Sequence, residues 1–88
     1  MSVVVWRDRA LDQLADVYVA ASVVERTKLS SEVDYVNRRL ADNGLFEGES
    51  RGGFGRVMIG ELLVVFYSVV PSEPTRIIEV RPNKRLRK

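Results

Sequence analysis

The second half of the chain is dominated by three apolar runs, each followed by residues typical of turns. The runs cover residues 54–59, 62–70 and 76–80 and are rich in valine, isoleucine, phenylalanine and tyrosine. Because β-branched and aromatic residues favour extended backbone, we expect three strands joined as an antiparallel meander. Gly60-Glu61 has the pattern of a type II′ hairpin turn, with glycine at its first position. The middle run is apolar almost throughout, so we expect both of its faces to be covered.

The first half of the chain has apolar residues at helical spacing. After a short β-branched run at residues 3–6, which predicts an opening strand, Asp8 is a candidate N-cap for a first helix. A second helix is expected to begin at Val23 or Glu25 and to end at Asp42, with Ser22 as the joint between the two helices. Two stripes at spacings of three and four carry this prediction: Leu11, Leu14, Val17, Tyr18 and Ala21 in the first helix, and Leu29, Val33, Val36 and Leu40 in the second.

These elements predict one α+β domain over residues 1–88, in the order β-α-α-β-β-β. We expect a two-layer arrangement in which the N-terminal strand joins the sheet and an αα-hairpin packs on one face of an antiparallel sheet. The first strand has no hairpin partner, so it is expected at an edge or beside the last strand. The predicted buried residues are Leu14, Val17, Val33, Val36, Leu40, Val57, Ile59, Val65 and Ile78.

The segment 45–55 contains four of the six glycines of the chain. Its spacing fits neither a phosphate-binding loop nor a dinucleotide fingerprint, and no strand-then-helix context surrounds it. We therefore interpret it as a flexible linker between the helices and the sheet.

Composition and charge exclude some kinds of chemistry and favour others. The chain has no cysteine and no histidine, which excludes thiol chemistry and removes the commonest general base and metal ligand. We expect no cofactor and no metal. Residues 62–70 are about half the length of a membrane span, so we also expect no membrane association and a cytoplasmic location. Residues 1–50 carry six basic and nine acidic side chains, whereas residues 51–88 carry eight basic and three acidic ones. The basic half is suited to nucleic acid or to an acidic protein.

Two arginines are the best candidates for a site. Strand parity predicts that Val57 and Ile59 face the core, so that Arg56 points away from the helices and shares the outer face with Arg81. Guanidinium groups held together in this way bind phosphates or carboxylates through bidentate hydrogen bonds. Alternatively, these arginines are solvated or form surface ion pairs with Glu49, Glu61 and Glu79.

The opening and the ending of the chain resemble a known family. Residues 6–14, with the sequence WRDRALDQL, residues 78–85, with the sequence IEVRPNKR, and the order of the elements are similar to the RelE/ParE superfamily of type II toxins, which includes plasmid-stabilisation proteins. The resemblance implies a small toxin that is neutralised by a cognate antitoxin. It also implies a target in translation, where RelE-like members cleave messenger RNA on the ribosome, or in DNA gyrase, which ParE-like members poison.

By this resemblance Arg56 and Arg81 are the candidate catalytic residues, and Arg51, Lys84 and Arg85 are the candidate target- or RNA-binding residues. The chain departs from the ribonuclease pattern because Val64 stands where that branch carries an arginine and because histidine is absent. Tyr67 is expected to be a strand residue with its hydroxyl at a rim. The alternatives to a toxin of undetermined target are a ribosome-dependent endoribonuclease and a non-toxic binding domain of the same fold.

Overall fold

A computed structural model describes residues 3–43 and 48–83 of the chain. Its elements follow one another as β1 (Val4–Trp6), α1 (Asp8–Ala20), α2 (Val23–Asn43), β2 (Glu49–Ser50), β3 (Gly55–Ile59), β4 (Leu63–Ser68) and β5 (Thr75–Pro82). The predicted order is therefore confirmed for the longer elements, with the two-residue strand β2 added before β3.

The five strands form one mixed sheet in the order β1-β5-β4-β3-β2. β1 lies at the edge beside β5, as predicted, but the two strands are parallel, with Val4 opposite Thr75 and Trp6 opposite Ile77. The prediction of an all-antiparallel sheet is therefore wrong at this edge. A short connection makes β4 and β5 antiparallel. The chain between β1 and β5 is long and includes both helices, so it allows these two strands to run parallel.

Both helices pack on the same face of the sheet, and the α+β class is confirmed. The buried core joins residues of both helices to residues of the three long strands. Its members are Ala10, Leu29, Val36, Leu40, Met58, Leu63, Val65, Tyr67, Ile77 and Val80. We call the opposite surface of the sheet the open face.

The predicted core is partly correct. Val36, Leu40 and Val65 are buried in it, whereas Leu14, Val17 and Val33 are half-buried. Val57 is also buried, but it lies opposite Phe66 on the open face, so its predicted position in the core is wrong. Ile59 and Ile78, by contrast, are 52% and 38% exposed, so their predicted burial is wrong.

The register explains both errors. Met58 lies opposite Val65, which belongs to the core, so Ile59 lies opposite Val64 on the open face. On β5 a bulge opposite Phe66 and Tyr67 adds one residue to the strand, so Ile77 and Val80 both enter the core and Ile78 does not.

The helical hairpin is confirmed, with two residues between the helices. Ser22 and Glu25 form a reciprocal capping box: the Glu25 amide donates to Ser22 Oγ at 3.2 Å and the Ser22 amide donates to Glu25 Oε1 at 2.9 Å. This signature, a serine followed three residues later by a glutamate, is present in the sequence. At α1 the N-cap is Arg7, not Asp8, which instead lies in the first turn, where its negative charge favours the helix dipole.

The glycine-rich segment is a hairpin where the structure describes it, so the linker interpretation is wrong for residues 48–55. The Arg51 amide donates to the Gly55 carbonyl at 2.8 Å, and Gly52 and Gly53 turn the chain with positive φ. Gly48 also has a positive φ, and a Cβ added there would lie 2.2 Å from the Val57 carbonyl oxygen.

The turn between β3 and β4 is not the expected type II′ turn. Its central residues are Glu61 and Leu62, because the Gly60 amide donates to the Leu63 carbonyl at 2.7 Å, and Gly60 is not among the positive-φ glycines. The Glu32 carboxylate of α2 accepts from the Leu62 amide at 3.0 Å and from the Leu63 amide at 2.8 Å. Gly60 is needed for this contact, since a Cβ there would lie 2.4 Å from Glu32 Oε2.

Candidate functional site

The open face is apolar at its centre, but its side chains differ in exposure. Val57 is buried there, and Val64 and Phe66 are half-buried. Ile59 and Ile78, on either side of them, are exposed. β4 is therefore covered by helices on one face only within the described chain, and the expectation that both faces are covered is not met. Two exposed isoleucines beside half-buried apolar residues are a feature found at protein–protein contacts.

Arg81 lies on the open face, next to an aromatic ring and a carboxylate. It is opposite Val64 in the register, and its guanidinium carbon is 5.2 Å from the centroid of the Phe66 ring. Its Nε donates to Glu79 Oε2, and Glu79 Oε1 is also 3.9 Å from Nη2 of Arg9 at the start of α1. Glu79 thus lies between two guanidinium groups, one from the sheet and one from the neighbouring helix.

Arg56 lies on the other face of the sheet, so the predicted pairing with Arg81 is wrong. It is opposite Tyr67, a core residue on the helix side, and its Nη2 donates to the Gly48 carbonyl at 3.1 Å. The error follows from the parity of β3, in which Val57, Met58 and Ile59 are all apolar and any of them could face the core. The two candidate catalytic arginines therefore do not form a common phosphate site.

The remaining predicted site residues are only partly described. Arg51 is exposed at the tip of the hairpin between β2 and β3. Lys84 and Arg85 lie outside the described residues. Arg76 also contributes positive charge to the open face, where its Nη1 contacts Glu73 Oε1 at 2.7 Å.

Tyr67 is a core residue. Its side chain is 1% exposed, so the prediction of a hydroxyl at a rim is wrong. Val64, which stands where the ribonuclease branch carries an arginine, lies directly opposite Arg81. An arginine at position 64 would therefore have placed a second guanidinium beside Arg81.

A groove of about 770 Å³ runs between α2 and β3. Its helix wall carries three hydroxyl groups at spacings of four, from Thr27, Ser31 and Tyr35, and Met58 belongs to its strand wall. No group of three or more histidine, cysteine, aspartate or glutamate side chains that could hold a metal ion occurs within residues 3–43 and 48–83.

Sequence reasoning missed Arg9 and Phe66 as parts of the charged site. In the sequence, Arg9 belongs to the opening of the first helix and Phe66 to an apolar run. The single available signal was the alternation of β5, which places Glu79 and Arg81 on the same side of the strand.

Comparison with known proteins does not extend this description, since no protein-family model and no curated protein matches the chain. None of the helices in the described part of the chain is both long enough and apolar enough to cross a membrane.

Proposed function

We propose that this chain is the toxin of a type II toxin–antitoxin pair, similar to RelE/ParE toxins, and that its antitoxin covers the open face of the sheet. The observation that carries the proposal is the exposure of Ile59 and Ile78 on this apolar face, which is bordered by the arginines of β5. The order of the longer elements, β-α-α-β-β-β, also agrees with the resemblance on which the proposal rests.

The exposure of two isoleucines favours a partner on this face. Within residues 3–43 and 48–83, the helices cover one side of the sheet, and Ile59 and Ile78 on the other side are exposed. Burial of such side chains in an interface is favourable by about 25 cal/mol for each Å² of apolar surface. A partner segment that carries aliphatic and acidic residues would match both the apolar centre and the arginines.

Efficient messenger RNA cleavage by this chain is not supported by the positions of its arginines. Arg56 and Arg81 face opposite sides of the sheet, so they cannot jointly hold a scissile phosphate. The loss of one charge-stabilising donor typically costs about 3 kcal/mol of transition-state stabilisation. We therefore propose a target other than messenger RNA, with DNA gyrase as the first to test.

The proposal predicts that expression of the chain alone from a tightly repressed promoter stops growth, and that co-expression of the product of the neighbouring reading frame restores it. The two products should also co-purify at low salt, because charge complementarity strengthens association there. Colony counts before and after induction, together with supercoiling and translation assays, measure the effect and its target.

Two matched variants test the surface. Ile59→Glu places a charge on the open face and should abolish co-purification, whereas Val19→Glu places the same charge on an exposed valine of α1 and should not. Normal growth on induction would overturn the toxin proposal. Equal co-purification of both variants would overturn the assignment of the open face.

A further inference from the structure

A carboxylate site is already built at the edge of the open face, and a carboxylate of the chain itself occupies it. Glu79 contacts Arg81 through one carboxylate oxygen and Arg9 through the other, at 3.9 Å in the second case. The Arg81 guanidinium also lies over the Phe66 ring. Two guanidinium groups form a typical receptor for a carboxylate, and the Phe66 ring holds the Arg81 guanidinium by a cation–π contact.

The exposure of the three charged groups shows that this arrangement is open to exchange. The side chains of Arg9 and Arg81 are 72% and 63% exposed, whereas that of Glu79 is 20% exposed. An exposed ion pair typically contributes between 0 and about 1 kcal/mol, because water solvates both partners when they separate. A carboxylate that arrives with further contacts can therefore replace Glu79 at little cost.

We propose that Arg9 and Arg81, the latter held by Phe66, form the docking site for a carboxylate of the protein partner, and that Glu79 occupies this site in the free chain. This inference rests on the proposed function, since it names the chemistry by which the partner would bind the open face. Glu79 acts as an internal competitor that weakens binding of any acidic segment that lacks additional apolar contacts. It thereby favours a partner that also covers the apolar residues beside it.

The surroundings favour an acidic protein segment over nucleic acid. Val64 lies directly opposite Arg81, and Ile59 lies opposite Val64 on the next strand, so a row of aliphatic side chains leads away from the site. An extended segment in which acidic and aliphatic residues alternate would place carboxylates and aliphatic groups in this order. A phosphate backbone would instead require further basic groups along the row.

The test uses the full chain and a fluorescein-labelled peptide in which glutamate alternates with leucine. Glu79→Gln removes the internal competitor and should tighten peptide binding about two- to fivefold, as measured by fluorescence anisotropy at low salt. Arg9→Gln and Arg81→Gln should each weaken binding, and added salt should reduce all of these differences. Glu73→Gln is the matched control, because Glu73 also pairs with an arginine, Arg76, but lies outside the site.

Three results would overturn the inference. They are unchanged or weaker binding by Glu79→Gln, equal tightening by Glu73→Gln, and tighter binding of a labelled single-stranded oligonucleotide than of the peptide by the parent chain. A peptide with glutamine in place of glutamate should bind weakly to every variant. None of these measurements depends on growth, so a chain that is not toxic but responds as described would refute the proposed function alone.

Discussion

Leu63→Ala is expected to lower the free energy of unfolding by about 3 kcal/mol and the melting temperature by about 15 °C. Leu63 begins β4, is fully buried, and packs in the cluster that joins both helices to the sheet. Truncation removes its transfer free energy and leaves a cavity that the surrounding strands fill only partly. Thermal unfolding followed by circular dichroism gives the effect directly.

Leu11→Ala is the control for this substitution, because it removes the same atoms from a leucine that is 48% exposed on α1. We expect it to change stability by less than about 1 kcal/mol. If both variants lose equal stability, the cluster described here is not the core of the protein.

Gly48→Ala is expected to destabilise the chain by about 3 kcal/mol or more. Two penalties combine there: a positive φ of 68° that L residues rarely adopt, and a Cβ placed 2.2 Å from the Val57 carbonyl oxygen and 3.1 Å from the Tyr67 hydroxyl. The carbonyl belongs to the backbone of β3, so the strand itself would have to move. Urea unfolding at equilibrium measures the loss.

Gly53→Ala separates the two penalties of Gly48→Ala. Gly53 has a similar φ of 54°, but an added Cβ would meet nothing within 4 Å. We expect a loss of roughly 1 kcal/mol from the backbone alone. Equal losses from the two variants would show that Gly48 does not approach the backbone of β3 as described.

The helical half was predictable because several independent signals agree there. The stripe that includes Val36 and Leu40 gave the buried face of α2, and Ser22 was correctly placed at the joint. The N-cap of α1 was misassigned to Asp8 instead of Arg7, because a residue that suits an N-cap suits the first turn almost as well.

The positions of the strands along the sequence were predictable, but the face of the sheet on which each side chain lies was not. Val57, Met58 and Ile59 offer no polar residue to mark the outside, and a one-residue error in parity moves each side chain to the other face. The bulge in β5 is a tertiary feature, since it depends on how Ile77 and Ile78 meet β4. The parallel direction of β1 likewise follows from packing and not from any local turn.

The candidate site was the least predictable part, because it depends on those faces. The wrong parity of β3 placed Arg56 beside Arg81, whereas the register places their side chains on opposite faces of the sheet. Arg9 could not be assigned to the site from sequence, since it is 70 residues away from Glu79 and is brought there only by the position of α1 along β5.

The central claim is that a partner binds the open face, and the isoleucines of this chain allow a direct measurement. The sequence contains three isoleucines, of which Ile59 and Ile78 are exposed whereas Ile77 is fully buried in the core. Isoleucine δ1-methyl spectra can be recorded for the full chain, free and in complex with the product of the neighbouring reading frame. We predict large shifts of the Ile59 and Ile78 signals and a small shift of the Ile77 signal. A complex that leaves the Ile59 and Ile78 signals in place would contradict the account, because the partner would then bind elsewhere.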